Sequence, residues 1–443
     1  MSTQSVQLSA FNLDSLNEGR VPVLGSAAID AIKAEAAHRL STVPFPTTKD
    51  EEWRFTNIRG ISKEQFHQGS LSDVPVANYD TATVPEAQNS TLVFVNGILN
   101  PNLSRIDGLP QGVIVEGIRA GLELHADLIA SYLNTANNFE DDFFALLNTS
   151  QFEDGAFIFI PKNMKVEQTL HLVYITAGHG STASFPRNLI VAGNHAEFTV
   201  VEEYLGDDQT TYLTTSLSEV ILGEGTHMSH VRLQKDSMNA YHINRIVSKL
   251  QRSADLQSYT ISLGANVFRN DVRAVMQGEG AHATLDGLVL VNGGQLSDTH
   301  SIMDHQVPNC TSHQLHKTIV DDSATSVFNG KIFVRKDAQK TDAFQENHNL
   351  QLSLDGMVYT KPQLEIFADD VKCSHGATVG QINDEQEFYL KSRGLDNAQT
   401  RELLTYGFAT EVIESLPVES IKEDLRKAVA SFTKRGVTNK LLV

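Results

Sequence analysis

Four short stretches decide the fold: NHAEFTVV (194–201), EGTHMSHV (224–231), RSADLQSY (252–259) and EGAHATLDG (279–287). Each has a polar or glycine turn, then a small residue (Ala196, Thr226, Ala254, Ala281), then a short strand-like run. The small residues recur 30, 28 and 27 residues apart. Periods of this length point to stacked coils, each burying one face against the next. A β-sandwich also places strands at short intervals, so periodicity alone leaves both architectures open.

The same texture extends on both sides of the repeat. From about residue 90 to 375 the chain reads as short Val, Ile, Phe and Thr runs cut by Gly, Asn and Asp, with little helical periodicity. Upstream, Ser26–Leu40 carries Ile29, Ile32, Ala36 and Leu40 at helical spacing behind Ser26 as a candidate N-cap. Two prolines, Pro44 and Pro46, end that helix. Downstream, Asp384 with Glu387 reads as a capping box and Gly394 as a helix stop. A second helix opens near Asp396 with Leu404, Phe408 and Val412 on one face, and a third carries Ile421, Leu425, Ala428 and Phe432. The expected layout is a helical N-terminal region (1–85), a β body (86–380) and a helical C-terminal domain (381–443).

Composition excludes several classes of function. Thirty-five basic against 54 acidic residues give a net charge of −19, which repels phosphate backbones and anionic lipid, so neither nucleic acid nor membrane is an expected partner. The N-terminal residues show no basic stretch followed by an apolar one, and no run of about 18 apolar residues occurs. The expectation is a cytoplasmic protein, or one of a plastid-like stroma if processed. Two cysteines, Cys310 and Cys373, cannot form a disulfide framework or a four-cysteine metal site. No Walker A, G-x-S-x-G, H-E-x-x-H or EF-hand pattern is present, which removes the common ATPase, hydrolase, zincin and calcium readings.

Metal-ligating chemistry concentrates between 282 and 375: His282, His300, His305, Cys310, His313, His316, His348, Cys373 and His375. Most of these histidines suit structural or surface roles; His300 and His305, five residues apart, point oppositely on a continuous strand. Cys373-Ser374-His375 differs, because an i, i+2 pair in an extended segment sets thiol and imidazole side by side. Lys372 beside the cysteine is expected to favour thiolate, and Asp369 or Asp370 is a candidate to hold the other imidazole nitrogen of His375. Two ligands make half a site; the rest must come from other histidines, solvent or another chain. An inert buried cysteine beside a hydrogen-bonded histidine is the plainer alternative.

At these residues the sequence resembles a known family. KPQLEIFADDVKCSHGATVGQINDEQEFYLKSRGL (361–395) resembles the C-terminal core of the SufD family, scaffold subunits of the SUF iron–sulfur cluster assembly machinery. GKIFVRKDAQKTDAFQENHNLQLS (330–353) and KDEEWRFTNI (49–58) are similar to the same family, in the same order. The paralogue SufB looks cysteine-rich and carries H-E-A-T at this point, whereas this chain has Cys373-Ser374-His375-Gly376-Ala377-Thr378.

The resemblance implies a right-handed parallel β-helix between helical regions, and a non-catalytic scaffold in a complex with SufB and two copies of the ATPase SufC. It implies pairing with SufB through the β-helix ends, with His375 facing a SufB cysteine at a nascent-cluster site and Cys373 as a further candidate ligand. No cofactor is expected on the isolated chain, only transient iron or an iron–sulfur cluster at the SufB interface. The tail around 407–417 resembles the part that receives SufC, with Phe408 and Val412 as packing anchors there or in the tail itself. ATP-driven closure of the SufC pair would then rotate SufB against SufD. A homodimer through the same end is expected when SufB is absent. The competing reading is a free-standing metalloenzyme using the 282–348 histidines; a third is a brace for SufB with no role in ligation.

Overall fold

The structure, a computed structural model, describes residues 16, 21–71, 84–137 and 142–435. Parts of the expected N-terminal helical region therefore lie outside the described residues.

The chain builds two long, mainly parallel sheets by alternating between them, with Ile114–Gly117 antiparallel to Ala156–Ile160 at the start of the first. Sheet I runs from Ile114–Gly117 through Ala156–Ile160, Arg187–Ala192, Tyr212–Leu222, Ala240–Leu250, Val267–Met276, Leu296–His305 and Thr325–Val334 to Met357–Ile366. Sheet II runs from Ser90–Val95 through Leu170–Thr176, Glu197–Gly206, His227–Gln234, Asp255–Ser262, His282–Val291, Thr311–Val320 and Asp342–Gln351 to Lys372–Gly380. Each strand from Glu197 onward pairs in parallel with the second strand after it, which is the connectivity of a β-solenoid and excludes the sandwich.

The small-residue repeat is the corner of each coil. Register pairs His227 with Asp255, Asp255 with His282, His282 with Thr311, Thr311 with Asp342 and Asp342 with Lys372. The preceding residues Thr226, Ala254, Ala281, Cys310 and Thr341 therefore stack, and all are buried. Each closes a tight turn: Thr226 N donates to Gly223 O, Ala254 N to Gln251 O and Ala281 N to Gly278 O. Only a small side chain fits beside the same corner of the next coil.

Three large apolar clusters dominate the core of the described residues. The solenoid interior joins residues such as Ile158, Leu172, Ile190, Val220, Ile246, Leu256 and Met276. Helices α1 (Ala27–Leu40), α2 (Ile118–Tyr132) and α3 (Phe143–Gln151) cover the outer face of early sheet I, packing Ile29, Leu40, Phe144 and Leu147 on Leu189, Val191 and Leu213. After α4 (Asp384–Ser392), helices α5 (Asn397–Ser415) and α6 (Glu419–Arg435) lie on the outer face of sheet II, setting Val412, Ile413, Ile421 and Leu425 against Val231, Leu233, Ile261 and Leu288. No helix among the described residues is long and apolar enough to cross a membrane.

Local differences from the sequence reading have physical causes. Helices α2 and α3 interrupt the stretch read as strands; every residue of α3 is buried, so it lacks the polar face that marks a helix. The cap of α4 is Asn383, one residue earlier than expected, accepting from Glu385 N and Gln386 N. Ser26 occupies the N-cap of α1 without making a side-chain cap bond, whereas Asp396 and Gln399 form a full capping box on α5.

Candidate functional site: the open end of the solenoid

Strand Lys372–Gly380 belongs to the last coil, and its side chains inherit their directions from the coil beneath. Register places Cys373 over Ala343, His375 over Gln345 and Ala377 over Asn347. Ala343, Gln345 and Asn347 are fully buried in the interior. In-register parallel neighbours project to the same side, so Cys373 and His375 occupy interior columns of the final coil. No further strand covers them among the described residues, which leaves His375 exposed and Cys373 half-buried at the edge of the core with Leu364 and Val371.

The rim of this end carries exposed apolar side chains among charged ones such as Lys361, Asp369 and Lys372. Leu354, Met357, Ile366, Phe367 and Val379 are all exposed, Phe367 by 59%. The edges of Met357–Ile366 and Lys372–Gly380 are the last in their sheets. Among the described residues no further element caps these strand edges, and uncapped edges beside apolar side chains are open to pairing.

The thiols do not behave as expected from local sequence. Burial, reinforced by the charge of Asp342, pushes the Cys373 thiol above its ordinary pKa, so Lys372 does not yield a ready thiolate. Cys310 is a fully buried corner residue, also pushed up by burial, and donates weakly to Gly278 O at 3.4 Å. It fills the small-residue position of the repeat and is no ligand candidate.

The two aspartates are not placed to support His375. Asp370 is exposed and paired with Lys340, and Asp369 is also exposed at the corner before the strand. His375 lies about 10 Å further along from Lys372 at the usual rise per residue. Val412 is completely buried in the cluster under the tail, and Phe408 is partly buried there with the Lys317 ammonium 5.0 Å from its ring. Both therefore pack the tail onto the solenoid; the large apolar residues that the described tail leaves exposed are Phe388, Tyr389 and Leu403.

The remaining histidines scatter. His300 faces outward and His305 inward, as their spacing required. Burial lowers the pKa of His305 to about 4 and of His316 to about 3, so both are neutral interior groups. His282 bonds Thr311 Oγ1 at 2.6 Å, His348 bonds Thr378 Oγ1 at 2.9 Å, and His313 lies 3.8 Å from Asp286. Among the described residues no group of three or more His, Cys, Asp or Glu side chains is arranged to hold a metal ion. What the chain presents is Cys373 with His375, two donors on one strand face.

The Glu51–Arg54 block has a structural task. Trp53 is buried under the guanidinium of Arg269, 4.6 Å from its ring centroid, and Glu52 and Asp298 each reach His300 at 3.1 Å. Lys361 pairs with Glu51 at 2.8 Å and Phe55 stacks on Tyr359 at 4.1 Å. This clamp ties the N-terminal segment to the outer face of sheet I as far as the last coil.

Residues not singled out from sequence also lie at this end: Gln345, Gln314, Ser301 and Gly330 line the interior directly beneath it. Extending the corner period from Ala281 through Cys310 and Thr341 to Val371 would have placed Gln314 and Gln345 on the inward face, though not Ser301 and Gly330, which lie in the other sheet.

Comparison with known proteins gives a consistent answer. Residues 12–172 match the SufBD protein N-terminal region, and residues 174–408 match the SufBD core domain of SUF system FeS cluster assembly. An iron–sulfur cluster assembly SufBD family protein of Synechocystis is 34% identical over 407 residues, covering 90% of each chain. The iron–sulfur cluster assembly protein SufD of Escherichia coli is 32% identical, covering 86% of this chain and 88% of its own. SufD of Bacillus subtilis is 27% identical, covering 89% and 91%.

Proposed function

This chain belongs to the SufBD family of iron–sulfur cluster assembly proteins, and we propose that it acts there as a SufD-type scaffold whose open solenoid end pairs with SufB. The observation that carries this reading is the placement of Cys373 and His375 in interior columns of an uncapped last coil, ringed by exposed Ile366, Phe367 and Val379. A partner solenoid seated on that end would bury the rim and bring its own donors over His375, completing a site of which this chain holds half. The nascent cluster, or the iron that precedes it, is then cargo held across two chains, and neither chain retains it alone.

The same reading assigns ATP hydrolysis to SufC, since this chain carries no Walker A sequence. The exposed tail residues Phe388, Tyr389 and Leu403 are the docking candidates for SufC, and closure of two SufC copies would shift the paired ends against each other. Dispersal of the 282–348 histidines gives the metalloenzyme reading no assembled site among the described residues. The compartment consistent with the reading is the cytoplasm, or a plastid stroma.

The deciding experiment is purification of the chain with its native partners, followed by cluster assembly in the recovered complex. The expected result is an assembly of SufB, SufC and this chain in which His375→Ala abolishes cluster formation while leaving the subunit composition intact. Recovery of the chain alone with stoichiometric metal, or full assembly by the His375→Ala complex, would overturn it.

A further inference from the structure

Beneath His375 the interior contains polar groups for which the fold has no use. One coil down in the same column is Gln345, and one coil below that is Gln314. Both are fully buried. Neither amide atom of Gln345 has a hydrogen-bond partner, and the Nε2 of Gln314 has none either, its Oε1 accepting from Ser301 Oγ at 2.6 Å. A buried amide left unsatisfied on both sides is unfavourable and calls for a reason. Packing is not that reason, because the next coil down carries Leu285 in the same column without difficulty.

The opposite wall is shaped around this amide. Gly330 sits in the middle of its strand, where a Cβ would lie 2.3 Å from Gln345 Nε2 and 2.5 Å from the ring of Phe328. A mid-strand glycine weakens a strand and commonly marks close approach by another group. Here the group is the side chain of Gln345.

We propose that Gln345 is the positioning residue for His375: its amide holds one ring nitrogen and fixes the imidazole tautomer when a partner covers the end of the solenoid. This rests on the reading of His375 as an interfacial ligand. A carboxamide suits the task, because its oxygen accepts from one ring N–H and leaves the other nitrogen's lone pair for iron, without a buried negative charge. Covering the end removes water from His375 and makes the two side chains each other's available partners. Gln314 and Ser301 then hold the column from behind.

The test uses the full chain in its complex with SufB and SufC, comparing parent, Gln345→Leu and His375→Ala. The Leu variant is expected to unfold at a temperature no lower than the parent, since it removes an unsatisfied amide. It is nevertheless expected to lose at least tenfold in cluster assembly, and ring ¹⁵N shifts of His375 should pass from one tautomer to a mixture. Should that variant fail to fold, Gln345→Met, of similar length but without the amide, takes its place. Loss in His375→Ala with unchanged assembly and an unchanged tautomer in the Gln345 variant would overturn the role of Gln345 alone. Full assembly by His375→Ala would overturn the reading of the site, and the role of Gln345 with it.

Discussion

At the scale of single residues, the heaviest electrostatic commitments lie away from the open end. Glu219 is fully buried and accepts from the Arg187 guanidinium and from the backbone N–H groups of Asn134, Ala136 and Asn137. Replacing it by alanine strands a buried guanidinium and three donors, and should cost roughly 3–5 kcal/mol in denaturant unfolding. His300 offers a pH test of the Glu51–Arg54 clamp. Burial disfavours its charged form, but the Asp298 charge and hydrogen bonds to Asp298 and Glu52 outweigh that and raise its pKa, while Glu52 and Asp298 are held below the usual carboxylate range. The imidazolium contribution is therefore complete below the unfolded value near 6.5 and fades as pH rises through the higher folded value. The carboxylate contribution is complete above ordinary carboxylate values and fades on acidification. Thermal unfolding of the parent should weaken from pH 6 to 8.5, and His300→Gln should flatten that slope; an unchanged slope would remove His300 from the clamp.

At the scale of elements, the coil corner is the least tolerant feature. A Cβ on Gly278 would lie 1.8 Å from the backbone nitrogen of Arg252 in the adjacent coil, a contact no rotamer relieves. Gly278→Ala should destabilise by about 3 kcal/mol, seen as a lower urea midpoint at unchanged slope. The tail is a second case in which tertiary packing changes the experiment. Because α5 and α6 cover Val231, Leu233, Ile261 and Leu288, deleting the tail uncovers an apolar sheet face and should cause aggregation whatever the tail binds. Phe388→Ala and Tyr389→Ala on the exposed side are cleaner probes. Each should weaken capture of SufC about tenfold with an unchanged Tm, if the tail docks that partner.

At the scale of the whole molecule, the uncapped end governs association. Without SufB, two copies of this chain present the same exposed apolar side chains and free strand edges, so sedimentation should show concentration-dependent dimers, and Ile366→Lys with Val379→Lys should keep the chain monomeric. Dimers that persist in that double variant would place the contact elsewhere. The sequence by itself carried the period of the coil: a small residue at Ala196, Thr226, Ala254 and Ala281 reports the crowding of one corner on the next, while the choice of solenoid over sandwich came from the family resemblance and was decided by the strand pairing. The sequence likewise determined that Cys373 and His375 share a face, because strand geometry has a period of two. Only the tertiary structure decided which face that is, that no coil lies above it among the described residues, and that Asp370, Val412 and Cys310 serve packing and pairing elsewhere. It alone showed α3 as a helix and the amide of Gln345 left without a partner beneath His375. Burial and register depend on what stacks some 30 residues away, and no local pattern encodes that neighbour.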